Sequence, residues 1–264
     1  MTGLDAYAPR EIAARVEATG AAKAALPLLQ LALLGMLAGA FIGLGSLFYV
    51  IVLSDASLGF AASRVLGGMV FSLGLLLVVV AGAELFTGNN LLAMAWADGV
   101  VSTRDVLRNW VVVCVANFVG AAGLAVLVFL SGHPDLNGGA IGKTYLQVAA
   151  AKSALPFWTA FFRGVLCNVL VCMAVWMTLA GRSVTDKFFA IVLPVSAFVA
   201  AGFEHSIANM YFLPMGLLLS AKAGLPLQWE GLWNNLVPVI LGNIAGGSVL
   251  VALVYYVIYR RRPG

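Results

Sequence analysis

The chain has 264 residues, of which 62% are apolar and only 10% are charged, and its formal net charge is +4. Several apolar runs reach the roughly 20 residues that a helix needs to cross a bilayer, so the composition excludes an ordinary soluble protein and predicts an all-α, polytopic membrane protein. The three cysteines all fall inside apolar runs, so we interpret them as packing residues and predict no disulfide framework, no metal and no other cofactor.

The chain begins with a short amphipathic segment. Pro9 suits a first helical position, and Ile12 and Val16 share one face of a helix. We therefore predict a helix of about two turns, ending before Gly20, within a cytoplasmic segment of residues 1–24. This helix lies on the membrane surface or is solvated ahead of the first span.

Six membrane spans are predicted from the apolar runs, at residues 26–53, 65–96, 110–130, 157–180, 188–219 and 236–259. The second and fifth spans are each interrupted by a polar stretch that reads Gly-x-Glu-x-x-x-x-Asn. The first stretch begins at Gly82 and the second at Gly202. These interruptions predict two broken helices, whose freed backbone groups must line a cavity instead of lipid.

The interruptions carry groups that are costly inside a membrane, namely Glu84, Glu204 and His205. A charge at the centre of a span costs roughly 2.5 to 3.5 kcal/mol on insertion scales. The three side chains therefore either mark a polar pathway or bind helices together. We expect the two carboxylates to be structural anchors that accept hydrogen bonds from freed backbone N–H groups or neighbouring amides.

The two halves of the chain match in further positions. Glu84 and Glu204 lie 120 residues apart, while Asn117 and Asn243, each followed three residues later by glycine, lie 126 apart. Three spans per half is an odd number, so two halves with one fold must have opposite orientations in the membrane. The prediction is one membrane domain across residues 1–264, built from inverted repeats at 26–131 and 157–259.

Loop charges predict the orientation. With the N-terminus inside, ten loop lysines and arginines, Arg262 among them, face the cytoplasm and four face outside. An excess of cations marks the cytoplasmic side, so both termini are predicted to be cytoplasmic. The basic balance of the chain is explained by this topology, and it gives no case for nucleic-acid binding.

Four stretches resemble signatures of the formate/nitrite transporter family: Glu84 to Asn89, Ala151-Lys152, Asn168 to Cys172, and Gly202 to Met210. The resemblance covers nearly the whole chain. It implies a homopentamer of aquaporin-like protomers in the bacterial inner membrane, each with its own pore for formate, nitrite, hydrosulfide or short monocarboxylates. It implies a channel and not an enzyme.

Carried over by position, the resemblance makes His205 the titratable group in the middle of the pore, with Thr87 as its polar neighbour. It assigns apolar constrictions to Leu85 and Phe86 on one side and to Leu75 and Phe198 on the other, although Leu75 alone fits core packing equally well. By the same resemblance, the polar residues of the vestibules are expected to be Lys152, Asn168, Glu204 and Asn243.

A histidine between apolar constrictions suits a weak-acid anion. Apolar constrictions exclude a bare charge, and neutral formic acid is only roughly one molecule in a thousand at pH 7. Lys152 would concentrate the anion, and His205 would lend a proton or its charge. The function expected is therefore a passive or proton-linked channel, for formate first and nitrite second, because residues outside the pore resemble the formate channels more.

A membrane enzyme or redox subunit that uses His205 as a ligand or base is the alternative. The other histidine, His133, falls in a predicted outer loop. The sequence therefore offers no pair of intramembrane histidines to hold a haem.

Overall fold

The computed structural model describes residues 6–226 and 229–261. These residues form eleven α-helices: α1 Pro9–Ala24, α2 Leu28–Leu53, α3 Phe60–Leu77, α4 Leu92–Ala97, α5 Thr103–Leu130, α6 Ala140–Ser153, α7 Phe157–Thr178, α8 Val184–Ala200, α9 Ser206–Lys222, α10 Trp229–Ile244 and α11 Val254–Tyr259. A π-helical turn, Val78–Gly82, extends α3, and a longer one, Ala245–Leu253, joins α10 to α11. Arg262 lies outside the described residues.

Within that part of the chain, five continuous helical segments are long and apolar enough to cross a membrane: Leu28–Leu53, Phe60–Gly82, Thr103–Leu130, Phe157–Thr178 and Trp229–Tyr259. The remaining predicted span is divided into α8 and α9, of 17 residues each. Several predicted boundaries were wrong. The third span begins at residue 103 and not 110, because Ser102 caps α5 by accepting a hydrogen bond from the N–H of Asp105.

Both helix breaks use a glycine in the left-handed region. Gly82 has φ +86° and Gly202 has φ +73°, values that a side chain strongly disfavours. After the first break the chain resumes in a 3-10 turn, Gly88–Leu91, and α4; after the second it resumes directly in α9. Both breaks lie at the interruptions from which the sequence predicted two broken helices, and they are consistent with that prediction.

The N-terminal helix differs from its prediction. α1 has 16 residues and continues through Gly20, where the sequence predicted an end. Its buried face packs on α4, and a Cβ placed on Gly20 would lie 3.4 Å from the Cβ of Ala95. The glycine is thus a point of close helix approach inside α1 and not a stop signal.

The two halves are built on equivalent helix pairs, α2 with α5 and α7 with α10, which make the most extensive contacts of their halves. Glycine allows both crossings. A Cβ on Gly120 would overlap the carbonyl oxygen of Met36, and a Cβ on Gly246 would overlap that of Val165. Outside this frame lies α6, in the stretch between the third and fourth predicted spans, where no helix was predicted.

Candidate functional site

The two interruptions meet at the centre of the protein. Thr87 Oγ1 lies 3.0 Å from His205 Nε2, so each half of the chain contributes one member of the pair. Both side chains are buried, with exposed fractions of 0% and 3%. The 120-residue offset between the halves aligns His205 with Leu85 and Thr87 with Ile207. The polar contact is therefore a departure from the symmetry of the repeats.

The second nitrogen of His205 defines its tautomer. Nδ1 accepts the backbone N–H of Ala208 at 3.2 Å and thereby caps α9. A nitrogen that accepts an N–H carries no proton, so the neutral ring carries its proton on Nε2 and donates it to Thr87. The imidazole thus presents an N–H donor at the point where the two halves touch.

A cavity of about 290 Å³ lies on one side of this contact. We call it the Lys152 cavity; its lining includes Lys152, Glu204, His205 and Phe198. On the other side is a cavity of about 540 Å³. We call it the Lys23 cavity, and its lining includes Lys23 and Glu84.

The apolar residues are grouped differently from the expectation. Leu75 lines the Lys23 cavity together with Leu85, whereas Phe198 lines the Lys152 cavity. Phe198 stacks on His205, with ring centroids 5.9 Å apart, and meets Phe71 edge-on at 5.8 Å. Phe71 was missed, because an apolar residue in an apolar helix carries no signal of its own. Leu85 and Phe86 are both 2% exposed.

Each interruption is held by a partly buried ion pair. In the first half, Lys23 Nζ lies 2.6 Å from Glu84 Oε1, and Asn89 Nδ2 donates to Oε2 at 2.7 Å. Asn89 also donates to Asn109 Oδ1 at 2.9 Å. Asn109 donates in turn to the carbonyl oxygen of Lys23 at 3.2 Å. The four residues form a closed network, which the main-chain carbonyl of Lys23 completes.

The second half repeats this network position by position. Lys152 Nζ reaches both oxygens of Glu204 at 3.1 and 3.0 Å, and Asn209 Nδ2 donates to Oε2 at 2.7 Å. Asn209 also donates to Asn235 Oδ1 at 2.6 Å. Asn235 donates to the carbonyl oxygen of Lys152 at 3.0 Å. Lys152 therefore faces a carboxylate partner as well as the cavity.

Asparagines from α5 and α10 satisfy the unwound backbone. Asn117 Oδ1 accepts the N–H of Phe86 at 2.9 Å, while its Nδ2 donates to the carbonyls of Gly35 and Glu84 at 2.7 and 2.9 Å. Of the two kinds of donor expected for the carboxylate of Glu84, the neighbouring amide is present as Asn89, and Lys23 is a further donor. The freed N–H of Phe86 and carbonyl of Glu84 pair with Asn117 instead.

Asn243 does the same for the second interruption. Its Oδ1 accepts the N–H of Ser206 at 3.0 Å, and its Nδ2 donates to the carbonyls of Gly164 and Glu204 at 2.8 and 3.1 Å. Asn243 is fully buried. Its hydrogen bonds are thus all with backbone groups.

Asn168 joins the two halves. Its Nδ2 lies 3.2 Å from the carbonyl of Thr87, 2.7 Å from Asn90 Oδ1 and 2.7 Å from the carbonyl of Asn243. The residue is fully buried. It therefore fixes one interruption against the other.

Three residues of the networks were missed from the sequence. Lys23 was counted only as a loop cation, and Asn109 and Asn235 were not singled out. A signal existed for the two asparagines, because they lie 126 residues apart, the same offset as Asn117 and Asn243. Within residues 6–226 and 229–261, no cluster of three or more His, Cys, Asp or Glu side chains is suited to a metal ion.

Comparisons with known proteins agree on one family. A family model described as formate/nitrite transporter matches residues 10–257. The chain is 40% identical to the formate channel FocA of Escherichia coli (strain K12), covering 97% of this chain and 96% of that protein. It is 38% identical to FocA of Haemophilus influenzae, with 83% of each chain covered. A solved structure described as a pentameric formate channel with formate bound superposes with a TM-score of 0.81 at 38% identity, covering 89% of this chain and 98% of that one.

Proposed function

The chain belongs to the formate/nitrite transporter family, and we propose that it is a channel for small weak-acid monovalent anions, with formate as the main substrate. Nitrite is the second candidate. The observation that carries the proposal is the contact between Thr87 and His205, which lies between two cavities that each contain a lysine. The proposed path runs from the Lys152 cavity past this contact to the Lys23 cavity.

The proposed path discriminates against a bare charge. Phe198, Phe86 and Leu85 are buried around the central pair, and apolar walls offer an anion nothing to replace its water. A weak-acid anion escapes this penalty by taking up a proton, which a strong-acid anion or a cation cannot do. Formate and nitrite therefore fit the path better than chloride or sodium.

We propose that His205 contributes first as a hydrogen-bond donor. In the neutral ring Nε2–H already donates to Thr87, and an arriving carboxylate would replace the threonine oxygen as acceptor. Transfer of a proton requires the imidazolium form. Once protonated, Nδ1 could no longer accept the backbone N–H of Ala208, so the two N–H groups would repel each other and the cap of α9 would be lost. Proton-linked permeation would therefore involve a local movement at the start of α9.

The assembly and membrane orientation are part of the same proposal. The pentameric state described for the similar channel suggests a homopentamer here, with one pore per protomer. Residues 26–131 and 157–259 would form the inverted repeats of one channel domain. On the distribution of loop cations we propose that the membrane is a bacterial inner membrane and that both termini are cytoplasmic, in which case the Lys152 cavity opens outward.

The test is formate uptake by proteoliposomes, measured against external pH. His205→Phe should reduce uptake and abolish its pH dependence, whereas Thr87→Val, which keeps the imidazole, should reduce uptake and retain the pH dependence. Unchanged uptake and pH dependence in His205→Phe would overturn the role of the histidine. Competition of formate with nitrite, lactate and hydrosulfide identifies the anion, and the formate proposal fails if nitrite or hydrosulfide competes at much lower concentration.

A further inference from the structure

The positive charge of the Lys152 cavity is not carried by Lys152 alone. Three cations line it, Arg64, Lys152 and Arg163, against the single carboxylate of Glu204. Lys152 is paired with that carboxylate at 3.0 Å. Among the described residues, no carboxylate lies within 4.0 Å of either arginine. The uncompensated charge of this cavity therefore belongs to the two arginines.

Arg64 is fixed in position, unlike a loose surface arginine. Its Nε donates to the carbonyl oxygen of Ala200 at 3.1 Å, in the last turn of α8, and its Nη1 donates to Tyr49 Oη at 3.3 Å. The guanidinium lies against the second interruption, because a Cβ on Gly202 would be 2.8 Å from Nη2. A guanidinium has five N–H donors, so Arg64 retains free donors after these two bonds.

Tyr49 supplies a second donor at the same place. Its oxygen accepts from Arg64, and its own hydroxyl hydrogen has no acceptor among the described residues. The ring is held edge-on by Phe71 at 6.4 Å and by Phe212 at 6.1 Å. Phe71 in turn contacts Phe198, the ring that stacks on His205. The donor pair is thus rigid and is linked by packed rings to the centre of the protein.

We propose that Arg64 and Tyr49 form a capture site for a two-oxygen anion, such as a carboxylate or nitrite, in the Lys152 cavity ahead of His205. This inference rests on the proposed function and adds a selectivity step to it. A guanidinium binds the two oxygens of a carboxylate through parallel N–H bonds, whereas hydrosulfide offers a single acceptor atom. The site would therefore favour formate and nitrite over hydrosulfide before the anion meets the apolar constriction.

The test compares the KM and the maximal rate of formate and hydrosulfide flux in proteoliposomes. Arg64→Gln should raise the formate KM roughly tenfold, because a charge-assisted hydrogen bond is lost, with a smaller change in maximal rate. Arg64→Lys keeps the charge and loses the planar fork, so it should still raise the formate KM several-fold. Tyr49→Phe should act in the same direction.

Arg163→Gln is the matched control, because it removes the same charge from the same cavity without touching Tyr49 or Ala200. Arg163→Gln should raise the KM for formate and the KM for hydrosulfide by about twofold each, as expected for one screened charge at a distance. Equal formate KM values in Arg64→Gln and Arg163→Gln, or complete rescue by Arg64→Lys, would overturn the capture site and leave only general electrostatics.

A direct binding measurement separates this inference from the proposed function. Formate should raise the unfolding temperature of the solubilised wild-type protein and should do so less in Arg64→Lys and Tyr49→Phe. If formate stabilises the wild-type protein more than the variants but proteoliposomes show no formate uptake, the transport proposal fails and the capture site stands. If the wild-type protein transports formate but formate stabilises the variants as much as the wild type, the capture site fails and the transport proposal stands.

Discussion

Replacing Glu204 by alanine should destabilise the protein more than the equivalent change at Glu84. Glu204 holds Lys152 through both oxygens, and the lysine side chain is only 15% exposed. Lys23 reaches one oxygen of Glu84, is 26% exposed, and keeps a second acceptor in Asn89 Oδ1 at 3.1 Å. Removing one partner of a buried pair costs about 3 to 5 kcal/mol. We expect that range for Glu204→Ala and about 2 to 3 kcal/mol for Glu84→Ala, because Lys23 retains a partner and access to water.

The assay is the thermal unfolding midpoint and the fraction of assembled oligomer in detergent, with Glu230→Ala, an exposed glutamate in the first turn of α10, as control. The double variant Lys152→Met with Glu204→Met should recover much of the loss, because neither charge is then left alone. The anchor role would be refuted if the two alanine variants unfolded at the wild-type midpoint temperature but showed altered anion selectivity. The carboxylates would then be part of the selectivity mechanism.

Two further predictions concern the ends of helices. Arg260 donates to both carboxylate oxygens of Glu17 at 2.8 and 2.9 Å. Arg260→Gln should therefore loosen α1 and speed tryptic cleavage within it by about fivefold or more. Equal acceleration in Arg261→Gln, a change at the exposed neighbouring residue, would contradict this prediction. The pKa of Asp186, at the start of α8, is lowered below its ordinary 3.8. The largest cause is the hydrogen bond from the backbone N–H of Arg182, followed by those from the hydroxyl and the N–H of Ser183. A lowered folded-state pKa means that the carboxylate stabilises the first turn of α8 above about pH 4 and that this contribution is lost as the pH falls through the folded-state pKa. Hydrogen exchange in that turn should become acid-sensitive below about pH 4 in the wild type and not in Asp186→Asn, and an unchanged acid response in the variant would refute the assignment.

The sequence predicted the architecture well wherever a polar residue interrupts an apolar run. Glu84 and Glu204 stand out for this reason, and their spacing indicated the repeat. Asn117 and Asn243 were found because a glycine follows each at the same distance. Prediction was weaker where a residue acts across the fold. Lys23 precedes the first span and resembles any loop cation, and its ion pair with Glu84 depends on how α1 packs.

Packing also explains the remaining differences. Gly20 has the appearance of a helix terminator, yet the approach of α4 makes it an interior residue of α1. The position of Leu75 relative to Phe198 depends on the crossing of α3 and α8, which no periodicity specifies. Arg64 and Tyr49 are 15 residues apart and on different helices, so their contact also lies beyond sequence patterns.

The two polar networks have a consequence for the order in which the chain is synthesised. Every partner in the first network, from Lys23 to Asn117, precedes residue 118, and every partner in the second lies between Lys152 and Asn243. A chain that emerges from its N-terminus can therefore form the whole first network before the fourth span exists. The bonds that cross between the halves, such as those of Asn168 to Thr87 and Asn90, form only afterwards. Each half can thus complete its own network without waiting for the other.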